Sequence, residues 1–295
     1  MIISASRRTD IPAYFSKWFI NRIRAGYCLV ANPFNSKQVT EVSLLPADVD
    51  VIIFWTRNPA PLFPHLDELD DRGFRYYFQY TILGYPREID RHGSRLAYSL
   101  ERFCRLADRI GVGKVIWRYD PILLTERTGL AYHLEQFERI AEALRGCSQS
   151  AVISLYDEYA GHRLRMRRVE EQGYRLLDER SISEGERRRF FTTLASIARS
   201  NGMTLFSCAE PADLEGYGIR KGACIDAGYI ERTFGIKVSD KKDPHQREAC
   251  RCCVSKDIGA YGTCLMGCAY CYATPDFQRA VAQYQKHNPL NPSMI

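Results

Sequence analysis

Cys264-Leu-Met-Gly-Cys268-Ala-Tyr-Cys271-Tyr-Ala273 carries three cysteines at C-x3-C-x2-C spacing, with Tyr270 directly before the third. Thiolates are the usual protein ligands of iron–sulfur clusters, each gripping one iron. Three on one short loop can hold three corners of a four-iron cubane. The fourth iron then stays open to a small molecule. Zinc is the competing occupant, but structural zinc usually takes four ligands from paired C-x2–4-C knuckles. This loop offers three cysteines at another rhythm.

Upstream of that loop, apolar runs alternate with helical stripes. Residues 2–6 read as a first strand. Pro12 opens a helix with Phe15, Trp18, Phe19 and Ile23 on one side, closed by Gly26. Residues 28–33 read as a second strand stopped by Pro33. The nearly continuous apolar run 49–55 is typical of a buried parallel strand. Further strands are predicted at 74–83, 114–118, 151–156 and 204–208, with a weak eighth at 257–263. Helices are predicted at 62–69, 96–110, 130–144, 183–201 and 275–286. Ser183 and Glu186 have capping-box spacing. Residues 159–180 read as a charged helical insertion, and 211–251 as irregular. Strands alternating with helices imply βαβ units and a parallel sheet. About eight units over residues 1–295 predict one α/β domain, a (β/α) barrel, with a cysteine-rich metal-binding region at 208–272.

The chain of 295 residues is 45% hydrophobic and 26% charged, an ordinary balance for a globular protein. No run of 18 apolar residues occurs, so no spanning helix and no membrane partner are expected. The start has no basic-then-apolar signal, and 11 cysteines without one point to a reducing cytoplasm. The net charge of +6 permits an anionic substrate and draws no nucleic-acid footprint. The basic tract 162–168 and the run Arg187 to Arg189 read as solvated helix faces, the first diluted by Glu170, Glu171, Asp178 and Glu179.

The loop resembles the signature of the radical S-adenosylmethionine (radical SAM) superfamily. The longer string Cys-x-x-Gly-Cys-x-Tyr-Cys-Tyr-Ala resembles the version in spore photoproduct lyase and its relatives. The resemblance implies a [4Fe-4S] cluster on Cys264, Cys268 and Cys271 and S-adenosylmethionine on its open iron. It also implies Tyr270 packed near the adenine and a flavodoxin- or ferredoxin-type electron donor. Most members carry the loop after the first barrel strand. Here it lies near the C-terminus, so the expected fold is a circularly permuted TIM-type barrel, with 257–263 in the first-strand role. The usual Gly-Gly-Glu would fall near residues 6–10 and is absent. The whole chain also resembles an uncharacterised bacterial family. It shares Ser4-Ala-Ser-Arg-Arg-Thr-Asp-Ile-Pro12, Phe54-Trp-Thr-Arg-Asn-Pro59 and Ser255-x-Asp-Ile-Gly-x-Tyr-x-x-Cys264.

A second cysteine set, Cys208, Cys224, Cys250 and Cys252, is expected to share one metal site, a second [4Fe-4S] cluster or zinc. Cys253 would point the other way along an extended chain. Cys28, Cys104 and Cys147 read as separate core thiols. Strand exits supply polar candidates: Arg7, Arg8, Asp10, Asn32, Thr56, Arg57, Asn58, Gln79, Thr81, Arg118, Asp120 and Glu210. Arg57, Asn58, Gln79 and Arg118 are the cofactor-binding candidates, Arg118 first for the methionyl carboxylate because a guanidinium grips one bidentately. Arg118, Asp120 and Glu210 are the catalytic candidates. The substrate is a small molecule or nucleic-acid derivative of unidentified structure. Two other readings stay open. One is a non-catalytic zinc or iron–sulfur protein binding nucleic acid or a protein partner. The other is a lyase that repairs or modifies nucleic acid.

Overall fold

The computed structural model describes residues 1–178 and 181–295; Glu179 and Arg180, at the end of the predicted insertion, lie outside them. In order the elements are β1 (Ile2–Ala5), α1 (Ile11–Tyr14), α2 (Ser16–Ala25), β2 (Tyr27–Asn32), β3 (Asn35–Ser43) and β4 (Val51–Thr56). Next come α3 (Leu66–Asp71), β5 (Tyr76–Thr81), α4 (Leu96–Ile110), β6 (Val115–Ile122), α5 (Leu130–Ala143), β7 (Ser150–Leu155) and α6 (Arg163–Glu171). The chain ends with α7 (Glu184–Ser200), β8 (Thr204–Cys208), β9 (Arg220–Gly222), α8 (Ala227–Phe234), β10 (Lys256–Asp257) and α9 (Phe277–Gln285).

Eight strands form one sheet in the order β10-β1-β4-β5-β6-β7-β8-β9. Every pairing in it is parallel. β4 lies beside β1, and each strand from β5 to β9 lies beside its predecessor, the order a barrel would have. Among the described residues no ladder joins β9 to β10, so the sheet is open where a closed barrel was expected. The link between the chain's two ends is present: Ile3 pairs with Lys256 and Ser4 with Asp257.

Side chains alternate across a strand, so each strand serves two cores. Ile3, Ile52, Phe54, Phe78, Trp117, Ile153 and Leu205 pack against helix residues Trp18, Phe19, Phe103, Phe137 and Phe190. Ile2, Val51, Ile53, Tyr77, Ile116 and Val152 face the other way and are covered by Cys224, Ile225, Ile230, Cys250, Cys252 and Cys253. Helices thus cover one face, and the segment after β8 covers the other. Fully burying each large apolar side chain contributes about 1.5–3 kcal/mol. The helix-side core, with its two buried tryptophans and many phenylalanines, is therefore the larger stabilising term.

Four expectations need correction. Residues 28–33 are not in the main sheet: β2 and β3 form a separate antiparallel hairpin. The eighth strand is only Lys256–Asp257, because the glycine-containing stretch beyond it has no ladder. The segment 211–251 is not wholly irregular, since it holds β9 and α8. Cys104 and Cys147 are not separate thiols but form a disulfide between the α4 helix and the turn after α5. Among the described residues no helix is long and apolar enough to cross a membrane.

His133 locks α5 onto β6 and gives the fold a pH dependence. The Leu123 carbonyl can only accept, so Nε2–H donates to it at 3.1 Å, and Nδ1 accepts from the Tyr119 hydroxyl at 2.9 Å. Burial pushes the imidazole down to about 4. The unfolded chain therefore binds more protons between about pH 4 and 6.5, and this contribution is complete above 6.5 and declines as the pH falls through that window. Urea unfolding at pH 7 and pH 5 should show His133 accounting for about 2 kcal/mol of the loss. The His133→Gln variant, weaker at pH 7, should lose that part of the slope; an unchanged slope would refute the assignment.

Candidate metal centre

The C-terminal ends of parallel strands lie on one edge of a sheet, and loops there carry the chemistry of α/β proteins. Arg7 follows β1, Arg57 follows β4, Arg118 in β6 pairs with Thr81 at the end of β5, and Cys208 ends β8. The cysteine loop joins this edge through side chains. Arg57 Nη1 donates to Cys268 Sγ at 3.0 Å and to Tyr270 Oη at 2.8 Å. The Tyr272 hydroxyl donates to the Arg7 carbonyl at 2.8 Å.

Arg57 is itself held. Its two Nη atoms grip the two carboxylate oxygens of the buried Asp90, with Nη1 at 2.5 Å from Oδ1. Burial opposes the Arg57 charge, and Asp90, Tyr270 and Cys268 outweigh it. Asp10 fixes the backbone below. Its carboxylate accepts from Ala13 N, Thr56 Oγ1 and Arg57 N at 2.7–3.0 Å. Burial holds it up at about 6. Burial also pushes the Cys264 thiol up to about 12 and raises Cys268. As free thiols these two stay protonated at neutral pH, and a bound metal would deprotonate them.

The loop backbone is fastened on three sides. Ala269 N donates to Ile89 O at 2.9 Å, and His92 N to Met266 O at 3.1 Å. Gly267 sits at φ +71, and a Cβ there would lie 2.7 Å from His92 Cδ2, so glycine is required at this close approach. Arg165 supplies the third side. Its guanidinium donates to the carbonyls of Ala269, Cys271, Thr274 and Pro275. The tract 162–168 was expected to be a solvated face; Arg165 instead turns inward onto the loop. Its only sequence signal was its place in a basic run, which does not say where one arginine points.

A second group forms on the far face of the sheet. Cys208 Sγ lies 3.1 Å from Cys224 Sγ. Cys224, Cys250 and Cys252 are buried in one packed cluster on this face. Arg118 Nη1 donates to Cys224 Sγ at 3.0 Å while Nη2 pairs with Asp120. Gln79 Nε2 and the Tyr77 hydroxyl donate to the Cys224 carbonyl at 3.0 and 2.7 Å. The contact with Cys224, then burial, pushes the Cys208 thiol up. The hydrogen bond with Cys252 draws Cys250 down to about 7.

The predicted residues thus divide. Arg57 and Tyr270 stand with Cys268; Gln79, Arg118 and Asp120 stand with Cys224. Asn58 Oδ1 accepts from Arg102 and from Ala60 N. Asn32 bonds Gln38 in the hairpin, away from the strand exits. Glu210 Oε1 accepts from Leu155 N at 2.7 Å, and burial holds its carboxyl up at about 7. Arg8 reaches the Gly259 carbonyl and lies over the Tyr261 ring. Among the described residues no group of three or more His, Cys, Asp or Glu side chains is set to hold a single metal ion. A cubane does not ask for that, because each thiolate binds its own iron. Three loop thiols with no disulfide among them, one accepting from a guanidinium, fit such a donor set.

A family model described as a domain of unknown function, DUF1848, matches residues 2–273. The chain belongs to the DUF1848 family. The match runs through the first strand, the Arg57 turn and all three loop cysteines, so both cysteine groups lie within the family domain. No curated protein and no solved structure matches the chain.

Replacing Arg165 with Ala removes the donor shared by four loop carbonyls. Hydrogen bonds to charged groups are worth about 1.5–3 kcal/mol, so amides at 264–275 should exchange roughly tenfold faster or more. The global unfolding midpoint should move little. Unchanged exchange across the loop would show that Arg165 does not hold it.

Proposed function

We propose that this DUF1848 protein is a radical S-adenosylmethionine enzyme. Its [4Fe-4S] cluster would sit on Cys264, Cys268 and Cys271. One observation carries the reading: three thiols free of disulfides, at C-x3-C-x2-C spacing, stand beside the strand exits with Arg57 donating to Cys268. When bound, the cluster supplies the electron that cleaves S-adenosylmethionine to methionine and a 5′-deoxyadenosyl radical.

The chain's own residues hold and orient. Cys264, Cys268 and Cys271 each provide one thiolate. Arg57, fixed by Asp90, shares the two hydrogens of Nη1 among Asp90 Oδ1, Cys268 Sγ and the Tyr270 hydroxyl, which holds the ring beside the loop. Tyr270 also lies against Tyr85, ring centres 6.0 Å apart, which shields that side of the loop from water. Arg165 holds the loop backbone. On this reading the open, singly wound sheet is a partial and permuted form of the (β/α) barrel. Its electron donor is of flavodoxin or ferredoxin type, and its substrate is a small molecule or nucleic-acid derivative held at the strand exits.

Anaerobic reconstitution tests the reading. The protein should turn brown and bind about four irons more than the variant with Cys264, Cys268 and Cys271 all changed to Ala. After reduction it should convert S-adenosylmethionine to 5′-deoxyadenosine, and the triple variant should not. Stoichiometric zinc in place of iron at the loop, after anaerobic preparation, overturns it.

A further inference from the structure

We propose that Cys208, Cys224, Cys250 and Cys252 form a second metal centre, closed by four thiolates, that fastens the segment after β8 onto the sheet. The proposal does not rest on the radical reading, because it uses none of the loop residues.

The four sulfurs come from three separate places: the end of β8, the turn after β9, and the pair at 250 and 252. The Cys208 and Cys224 sulfurs are 3.1 Å apart, and Cys250 and Cys252 are buried together with them in one packed cluster. None is in a disulfide. Thiols are weak hydrogen-bond partners, so mutual contact between four of them gains little by itself. Four thiolates around a thiophilic metal gain a great deal.

The surroundings fit an anionic centre. A four-thiolate zinc site and an oxidised four-iron cluster on four thiolates both carry net negative charge. Buried Arg118 points Nη1 at Cys224 Sγ, and Arg7, stacked on Trp55, faces Cys252, Cys224 and Cys250. The backbone is positioned as well: the Cys224 carbonyl is pinned by Tyr77 and Gln79 from β5. Cys252 O accepts from Asp243 N at 2.9 Å. Cys253, one residue on, belongs elsewhere. It bridges Lys242, and its N–H donates to Ile225 O.

Four protein ligands leave no open position, so the centre is structural or electron-carrying and does not bind substrate. Its mechanical effect follows from its place. Among the described residues the segment it ties down covers one face of the sheet with Cys224, Ile225, Ile230 and the 250–253 cysteines buried, and with Tyr229, Phe234, Ile236 and Val238 partly buried against them. A metal held by four of these cysteines would cross-link that cover to the end of β8.

The test uses the full chain carrying the Cys264, Cys268 and Cys271 to Ala changes, purified anaerobically. It should retain about four irons, read by metal analysis and absorbance; one zinc in their place would mean that the four sulfurs close further around a single ion than they stand here. Adding Cys208→Ser and Cys224→Ser should remove that metal, while Cys253→Ser should keep it. Where the double variant does not fold, thiol alkylation of the otherwise native protein decides. Cys208, Cys224, Cys250 and Cys252 should be protected together and become reactive together on metal removal, with faster proteolysis of residues 209–254. Absence of metal in the triple variant, or independent labelling of the four thiols, overturns the proposal. Iron at the loop with none here would sink this inference alone; metal here with none at the loop would sink the radical reading alone.

Discussion

The Asp257 carboxylate is the group on which the arrangement depends. It accepts from Ser4 Oγ at 2.8 Å, Ser6 Oγ at 2.5 Å, Arg7 N at 2.9 Å and Gly259 N at 2.9 Å. One side chain near the C-terminal end thereby satisfies the polar groups of the first strand exit. Gly259 must approach closely for this: a Cβ there would lie 2.1 Å from Ser6 Oγ. Without that contact β10 has only two residues with which to hold β1. The loop at 264–271 hangs from β10, so its position beside Arg57 follows from the same carboxylate.

Each core then exerts its own demand. The helix side is apolar and large and sets the sheet. The far side mixes aliphatic residues with cysteines, Gln79 and Arg118, so each of its polar atoms costs stability unless paired. Those of Gln79 and Arg118 are paired: Gln79 bonds Cys224 O and the Arg118 guanidinium, and Arg118 bonds Cys224 and Asp120, whereas Arg7 Nη2 is buried without a hydrogen-bond partner. Leaving one buried charge of such a pair alone costs about 3–5 kcal/mol. The polar pairing therefore restricts which chain segment can cover this face, whereas the helix-side core would accept many apolar partners.

Sequence pattern shows local periodicity and says little about partners distant along the chain. Helix α4 at Leu96–Ile110 and strand β8 at Thr204–Cys208 were legible to the residue, because apolar spacing and glycine or polar stops coincide there. The α7 start was legible from Ser183 and Glu186, whose reciprocal capping bonds form. The hairpin was not, because β3 from Asn35 to Ser43 is mostly exposed and carries no apolar run. Residues 28–33 then read like any strand of the sheet. Arg57 was legible as a strand-exit residue, but its carboxylate partner Asp90 lies in a loop without a pattern. The Cys104–Cys147 bond joins residues 43 apart in sequence and is visible only once α4 and α5 are packed.

The two cysteine groups are built by one device. In each, a carboxylate holds a guanidinium, and the guanidinium presents an N–H to a sulfur: Asp90 with Arg57 and Cys268, Asp120 with Arg118 and Cys224. A thiol accepts weakly, so this geometry gains most when the sulfur is a thiolate. The carboxylate partly cancels the arginine charge, which limits how far either sulfur group is neutralised. Arg7 lies between the groups: its carbonyl accepts from Tyr272 beside the loop, and its guanidinium faces the four-sulfur set.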